Sequence, residues 1–347
     1  MSDPRWVIWR RYEIDGRKAD YLILGLLVIF VLATPFLLSR PYYLNLLVMI
    51  GIYTIVCVGL NLLIGYAGQM SLGHAAFYGM GAYASAILTT KAGLSAWAGL
   101  ALAPLITGAV AYVIGKPILR LRGLYLAMAS FAFGEIMLIV FRAEVEWTGG
   151  PMGIAGIPKP VAGNIVLNTP KSYFVLVWLF AISITWLSLN LVRTRVGRAL
   201  RALRDDEQAA ESLAVSTASF KVAVFALSAA FAGLGGALYV HYLGFVSPDS
   251  FTFFFNILII VIVIVGGMHS VWGALVGAFV MTGLSEFLRQ YQDFNLVIYG
   301  LVLMVMVALM PSGLVGVAER LVGQARRWLN ARWSRSDVLI EPGRAHE

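Results

Sequence analysis

The feature that most restricts this chain is a succession of apolar runs, each near the length a helix needs to cross a bilayer. A helix rises 1.5 Å per residue, so about 20 apolar residues cover a hydrocarbon core of about 30 Å. Such runs occupy Tyr21–Leu38, Leu44–Leu63, Gly73–Thr89, Ser95–Gly115, Gly123–Phe141, Tyr173–Val192, Val222–Leu243, Phe253–Gly266, Val271–Leu288 and Phe294–Met310. With 60% hydrophobic and 13% charged residues and a mean hydropathy of +0.81, water is not the solvent for most of the chain. Backbone polar groups in lipid must be satisfied internally. The expected fold is therefore all-α, a polytopic integral membrane helix bundle of about ten transmembrane helices. The range is eight to ten, because the runs flanking Gly266-Gly267 and the stretch Gly65 to Gly73 can be broken or re-entrant.

Charge sets the expected topology. With ten spans and an inner N-terminus, 20 of the 26 Lys and Arg fall on inner segments and 6 on outer ones. That positive-inside bias places both termini in the cytoplasm. Residues 1–20 then form a cytoplasmic N-terminal segment, 21–318 the membrane domain, and 319–347 a cytoplasmic tail. The tail alternates Arg and Trp (Arg327-Trp328, Arg332-Trp333), which suits either a helix on anionic lipid or a solvated end. Within the membrane domain, 142–171 is an outer loop and 193–221 an inner one. The first run follows a polar leader of about 20 residues and ends in Ser39-Arg40-Pro41, without a small-x-small cleavage pattern, so it reads as a retained span and not a signal peptide. The net charge of +8 falls between apolar runs rather than on one folded face, which argues for membrane topology and against nucleic acid.

Catalytic chemistry finds little support. The histidines His74, His241, His269 and His346 have no metal-ligand spacing, and no G-x-S-x-G elbow occurs. A phosphate loop is also missing: Gly115-Lys116 runs into Pro117, with Val110 where the first Gly belongs. No metal or cofactor is expected on this chain, and any nucleotide energy must come from another one. Small residues at helical spacing, Gly273-xxx-Gly277, Ala75-xxx-Gly79 and Ser228, Ala232, Gly236, predict close helix packing.

Glu135 is the one carboxylate well inside an expected span. A bare charge there costs at least ~2.5 kcal/mol, so it should face the bundle interior or a wet cavity, as a pathway or gating residue or as a hydrogen-bonded tie between helices. The inner loop RTRVGRALRALRDDEQAAESLAVSTASFK carries arginines up to Arg204, then Asp205, Asp206, Glu207 and Glu211. Asp205 with Gln208 resembles a capping box, which predicts a short helix from Asp206 to about Ala214. Ala209, Ala210, Leu213 and Ala214 would form a low apolar stripe on it. Resting on lipid headgroups accounts for Arg198, Arg201 and Arg204, whereas docking into a groove on a cytoplasmic protein accounts for the acidic cluster as well.

Several motifs occur in order between about Asn45 and Gly316: GLNLLIGYAGQMSLGHAAFYGMGAY from Gly59, LRLRGLYLAMASFAFGEI from Leu119, TGGPMGIAGIP from Thr148, and VGRALRALRDDEQAAESLAV from Val196, leading into FALSAAFAGLGGALY. Through them the chain resembles the branched-chain amino acid permease family of ABC importers, specifically the M-type subunit of a paired H and M system. The resemblance implies a bacterial inner-membrane subunit that works with a second, H-type permease, two cytoplasmic ATP-binding cassette subunits that use ATP, and an extracytoplasmic solute-binding protein. It makes Arg198, Arg201, Arg204, Asp205, Asp206, Glu207, Ala209, Ala210 and Leu213 the coupling segment. It also makes Gly65–Gly73, with Gln69 and Ser71, and Gly149–Gly156, with Gly149 and Gly150, signature segments near the pathway or its outer mouth; His74, near the end of an expected span, is a pathway candidate with a structural role as its alternative. Solutes served by such permeases include urea, short amides and other amino acids. The rival class is an ion-coupled secondary transporter or channel built on Glu135.

Overall fold

The computed structural model describes residues 5–38, 40–162, 165–287 and scattered positions between 297 and 320. Among these residues the structure is helical apart from two small antiparallel ladders. One joins Ile154–Ala155 (β1) to Phe245–Val246 (β4), and the other joins Val161–Ala162 (β2) to Ile165–Val166 (β3). The long helices follow the apolar runs: α1 (Arg5–Leu37), α2 (Pro41–Asn61), α3 (His74–Thr90), α4 (Ala96–Ile118), α5 (Leu124–Ala143), α7 (Pro170–Arg193) and α10 (Thr217–Leu243). The turn α6 (Val145–Thr148) follows α5, and α8 (Arg195–Asp205) and α9 (Glu207–Ser212) form the loop before α10. The chain then folds through α11 (Phe253–Gly266) and α12 (Val271–Phe287).

Local chemistry fixes several starts. Ser95 accepts a hydrogen bond from the Ala98 amide to cap α4, and Thr169 does the same from Ser172 for α7, where Pro170 occupies the first turn. Helix α1 begins at Arg5, so the polar leader is continuous with the first span instead of forming a separate element.

Among the described residues six helices are long and apolar enough to cross a membrane: Lys18–Leu37 within α1, Pro41–Tyr66, α4, α5, α7 and α10. The chain is a multi-pass membrane protein. Helices α11 and α12, expected as two separate spans, are bent by 118° at Gly267, a broken span or re-entrant loop; counted as one crossing they bring the total to seven. Their 14 and 17 residues reach about 21 and 25 Å, short of a full hydrocarbon core. A count of ten rests on crediting both of them, together with the 17-residue α3 and the run Phe294–Met310, most of which lies outside the described residues.

Helices α2 and α10 form the centre, with 83% and 72% of their apolar windows buried, while α1 (11%) and α5 (28%) stand at the rim. The small-residue faces work as expected from the sequence. A Cβ on Gly236 would strike the Tyr78 carbonyl of α3, and Gly273 and Gly277 of α12 lie directly on the α11 backbone. Two buried histidines fasten α3 to α10 reciprocally: His74 Nε2 of α3 lies 2.9 Å from Ser228 Oγ, and His241 Nε2 of α10 lies 2.8 Å from Ser85 Oγ. His241 Nδ1 meets the Pro158 carbonyl at 2.6 Å. A carbonyl only accepts, so Nδ1 holds the proton and Nε2 accepts from the Ser85 hydroxyl.

Candidate functional site

The arginines of the inner loop make a helix of their own. Thr194 caps α8 by accepting from the Val196 amide, and Gly197, Leu200 and Leu203 turn inward while Arg198 stays exposed. Arg201 and Arg204 are spent inside the chain: Arg201 Nη1 donates to the Val192 carbonyl at 3.1 Å, and Arg204 Nη1 to the Gly65 carbonyl at 3.0 Å. Arg204 also grips the neighbouring Asp205 through Nε and Nη2, at 3.1 and 2.9 Å.

The cap of the next helix is Asp206 and not Asp205. Asp205 ends α8, whereas Asp206 takes an extended backbone (φ −158°, ψ 110°) and accepts from the amides of Gln208 and Ala209 at 2.9 and 3.1 Å. Two consecutive aspartates offer the same pattern to a sequence reading, and the backbone conformation decides between them. Helix α9 ends at Ser212, two residues earlier than expected, and Ala214 takes a left-handed conformation with φ 59°. The expected stripe divides: Ala210 is buried, while Ala209 is exposed and Leu213 is 77% exposed at the tip.

Beneath α9 lies an ionic cluster that spacing did not reveal. Glu207 Oε1 accepts from Lys221 Nζ at 2.5 Å and from Arg122 Nη2 at 3.3 Å. Lys221 is only 3% exposed, so that carboxylate is the counter-charge that offsets the cost of burying it. Glu211 accepts from the Thr217 hydroxyl at 2.6 Å, which ties the end of α9 to α10.

The Gly65 carbonyl that holds Arg204 belongs to a π-helical turn, Leu62–Tyr66, through which α2 ends. The apex of the α11–α12 bend packs against this turn. Asn61 Nδ2 donates to the Ser270 carbonyl at 2.6 Å, Tyr66 Oη to the His269 carbonyl at 3.0 Å, and a Cβ on Gly65 would collide with the Met268 carbonyl. Desolvation and then the nearby Arg204 charge hold the His269 imidazole below its ordinary pKa, partly offset by Asp205. On the far side of the apex, Trp272 Nε1 donates to Asp20 at 2.9 Å, and Asp20 pairs with Arg193. The loop, the π-turn, the bent helices and the foot of α1 are therefore one connected assembly at one end of the bundle.

The pathway candidates do not converge on one point. Gln69 is half-buried with Nε2 on the Ala67 carbonyl, and Ser71 is buried with its hydroxyl unpartnered among the described residues. Both lie on the crossing from the π-turn to α3, where the Leu72 amide donates to Ser130 Oγ of α5 at 3.0 Å. His74 is buried against Ser228. Glu135 is half-buried on α5, one turn beyond Phe131, whose ring meets Phe253 edge-on at 5.1 Å. No hydrogen bond or ion pair joins Glu135 to another described residue. Gly149 and Gly150 stand at the opposite end of α5 with φ 76° and 59°, in a turn pinned by Thr148, whose hydroxyl donates to the Phe141 carbonyl at 2.8 Å and accepts from the Gly150 amide. No grouping of His, Cys, Asp and Glu able to hold a metal occurs among the described residues.

The family described as "Branched-chain amino acid transport system / permease component" matches residues 42–310. This chain belongs to that family. The permease protein LivM of the high-affinity branched-chain amino acid transport system of Salmonella typhimurium is 36% identical over 340 residues, covering 91% of this chain and 79% of that protein. Its Escherichia coli K12 counterpart is 34% identical with the same coverage. The permease protein LivH from Salmonella typhimurium is 22% identical, over 77% of this chain and 92% of its own length. No solved structure matches the chain. The match spans the π-turn, α5, α8–α9 and the α11–α12 bend, so the assembly described above lies in the shared region apart from Asp20 at the foot of α1.

Proposed function

We propose that the chain is one permease subunit of an ATP-driven ABC importer in a bacterial inner membrane, that it helps form the path for branched-chain amino acids, and that α9 is its coupling helix. The observation that carries this reading is mechanical. An exposed, capped short helix is braced by Glu207 and Lys221, and α8 before it is joined through Arg204 to the π-turn and the bent helix pair. A push on α9 from a cytoplasmic ATP-binding cassette subunit would reach the membrane core without passing through a flexible joint. The 20-to-6 split of basic residues, counted for ten spans, supports a cytoplasmic position for that end, and for both termini where the number of crossings is even. An H-type permease would cover the open face of α5, with Glu135 and the Gln69–Ser71 crossing lining the path between the subunits. An extracytoplasmic binding protein would deliver solute near Gly149 and Gly150. The substrate is taken from the relatives' names.

Leu213 tests the coupling role better than the arginines do. Arg201 and Arg204 hold carbonyls within the chain, so reversing them would disturb the loop itself. Leu213→Glu should leave the amount of protein in the membrane unchanged and lower ATP-dependent uptake of a branched-chain amino acid at least tenfold. Undiminished uptake by that variant would remove α9 from the coupling role. The secondary-transporter reading gains from Glu135, which has no partner among the described residues; uptake that persists with ATP depleted and follows an ion gradient would select it.

A further inference from the structure

Where α4 ends and α10 begins, an open cleft of about 630 Å³ lies beside the α8–α9 loop. Its walls carry Tyr112, Lys116, Leu119, Arg120, Arg122 and the first residues of α10, together with Glu207 and Glu211, whose carboxylates are held by Lys221 and Arg122 and by the Thr217 hydroxyl. These cations are not equivalent. Arg122 and Lys221 are engaged by Glu207, whereas neither Lys116 nor Arg120 has a carboxylate partner among the described residues. Lys116 instead stands over the Tyr112 ring, with Nζ 4.6 Å from its centroid. Helix α10 adds the positive end of a 27-residue dipole, with no side chain capping its first amides. The cleft opens at the level where two membrane helices stop. Above it, α4 exposes Leu105 (67%), Tyr112 and Val113 (68%) as a continuous apolar approach.

We propose that this cleft binds an anionic phospholipid, with the phosphate between Lys116 and Arg120 and the acyl chains along the exposed face of α4. A soluble phosphate would use the cations but not the apolar approach. A zwitterionic lipid could seat its phosphate there, but its choline would add a third positive charge beside Lys116 and Arg120 and leave the headgroup with no net charge to offset theirs. An anionic lipid matches both halves, and basic pockets between membrane helices at the water boundary recognise such headgroups. This site does not depend on the transport reading, since it requires only that α4 and α10 cross the membrane.

The test uses the full chain, in whatever complex copurifies with it, titrated with phosphatidylglycerol or with phosphatidylcholine of the same acyl chains and read by native mass spectrometry. The wild type should retain phosphatidylglycerol preferentially. Lys116→Gln with Arg120→Gln should weaken that retention about 25-fold, about fivefold per cation, without changing phosphatidylcholine retention. Lys116→Arg with Arg120→Lys should restore it. Equal retention of the two lipids by the wild type, or an undiminished preference in the Gln variant, would overturn the proposal. So would displacement of the lipid by an equal concentration of glycerol phosphate, which would make this a soluble-phosphate site. Should the double Gln variant fail to fold, Lys116→Gln alone decides, with a fivefold loss expected and no loss counting against the site.

Discussion

Helices α10 and α5 are equally apolar, with mean hydropathies of 1.8 and 2.0, yet α10 buries 72% of its window and α5 only 28%. The difference lies in side-chain size and not in polarity. Helix α10 carries Ser228, Ala229, Ala232, Gly233, Gly235 and Gly236, which let α2, α3 and α4 approach its backbone, whereas α5 presents Leu124, Tyr125, Met128, Ile136 and Ile139 outward. In lipid, an apolar surface gains little by being covered with another apolar surface, so close backbone approach selects the centre of the bundle. Charge follows the same division. Lys221 of α10 is buried and paired with Glu207, while Glu135 of α5 is half-buried and has no ion pair among the described residues.

Changes of size should separate the two helices most sharply. Gly236→Leu must push a side chain into the Tyr78 carbonyl and toward the Ala82 amide, at a cost of about 3 kcal/mol or more, and should abolish accumulation of folded protein in the membrane. Ile139→Ala on α5 should leave accumulation near wild type; a comparable loss would mean that α5 packs as α10 does. Next in size is Glu135→Gln. If α5 lines a path, uptake should fall about tenfold with thermal stability unchanged, and unaltered uptake would return α5 to a lipid-facing scaffold. Glu207→Gln leaves the Lys221 ammonium buried without its carboxylate, which should lower stability by about 3 kcal/mol in a detergent melt. A melt unchanged by that substitution would mean that water reaches Lys221. The smallest effect belongs to Ala214→Gly, which relieves a left-handed alanine after α9 and should raise stability by at most about 1 kcal/mol.

The sequence discloses helix positions well because each apolar run is bounded by charge, Gly or Pro, and the nine runs that lie almost wholly within the described residues all coincide with helices, the tenth lying mostly outside them. What it does not disclose is which surfaces meet. Arg204 finds its acceptor 139 residues away at Gly65, and Lys221, which reads as a topology charge ahead of an apolar run, is a buried partner of Glu207. Periodicity identifies a face and leaves its opposite number unnamed. The 118° bend shows in the sequence only as Gly266-Gly267, since a glycine pair is compatible with a break, a crossing or a cap. Asn61, Tyr66 and Ser270 give no signal at all, because an amide or phenol at the end of an apolar run commonly serves as an interfacial anchor.

The paired histidine–serine bonds between α3 and α10 act as two bolts through parallel plates. His74 and Ser85 are separated by about 17 Å along α3, so together the bonds stop the two helices from sliding or twisting past one another, which neither could do alone. A shift of one helical turn would break both at once and strand four polar groups in a dry interior. On the proposed transport cycle, α3 and α10 would be the fixed pair around which the other helices turn.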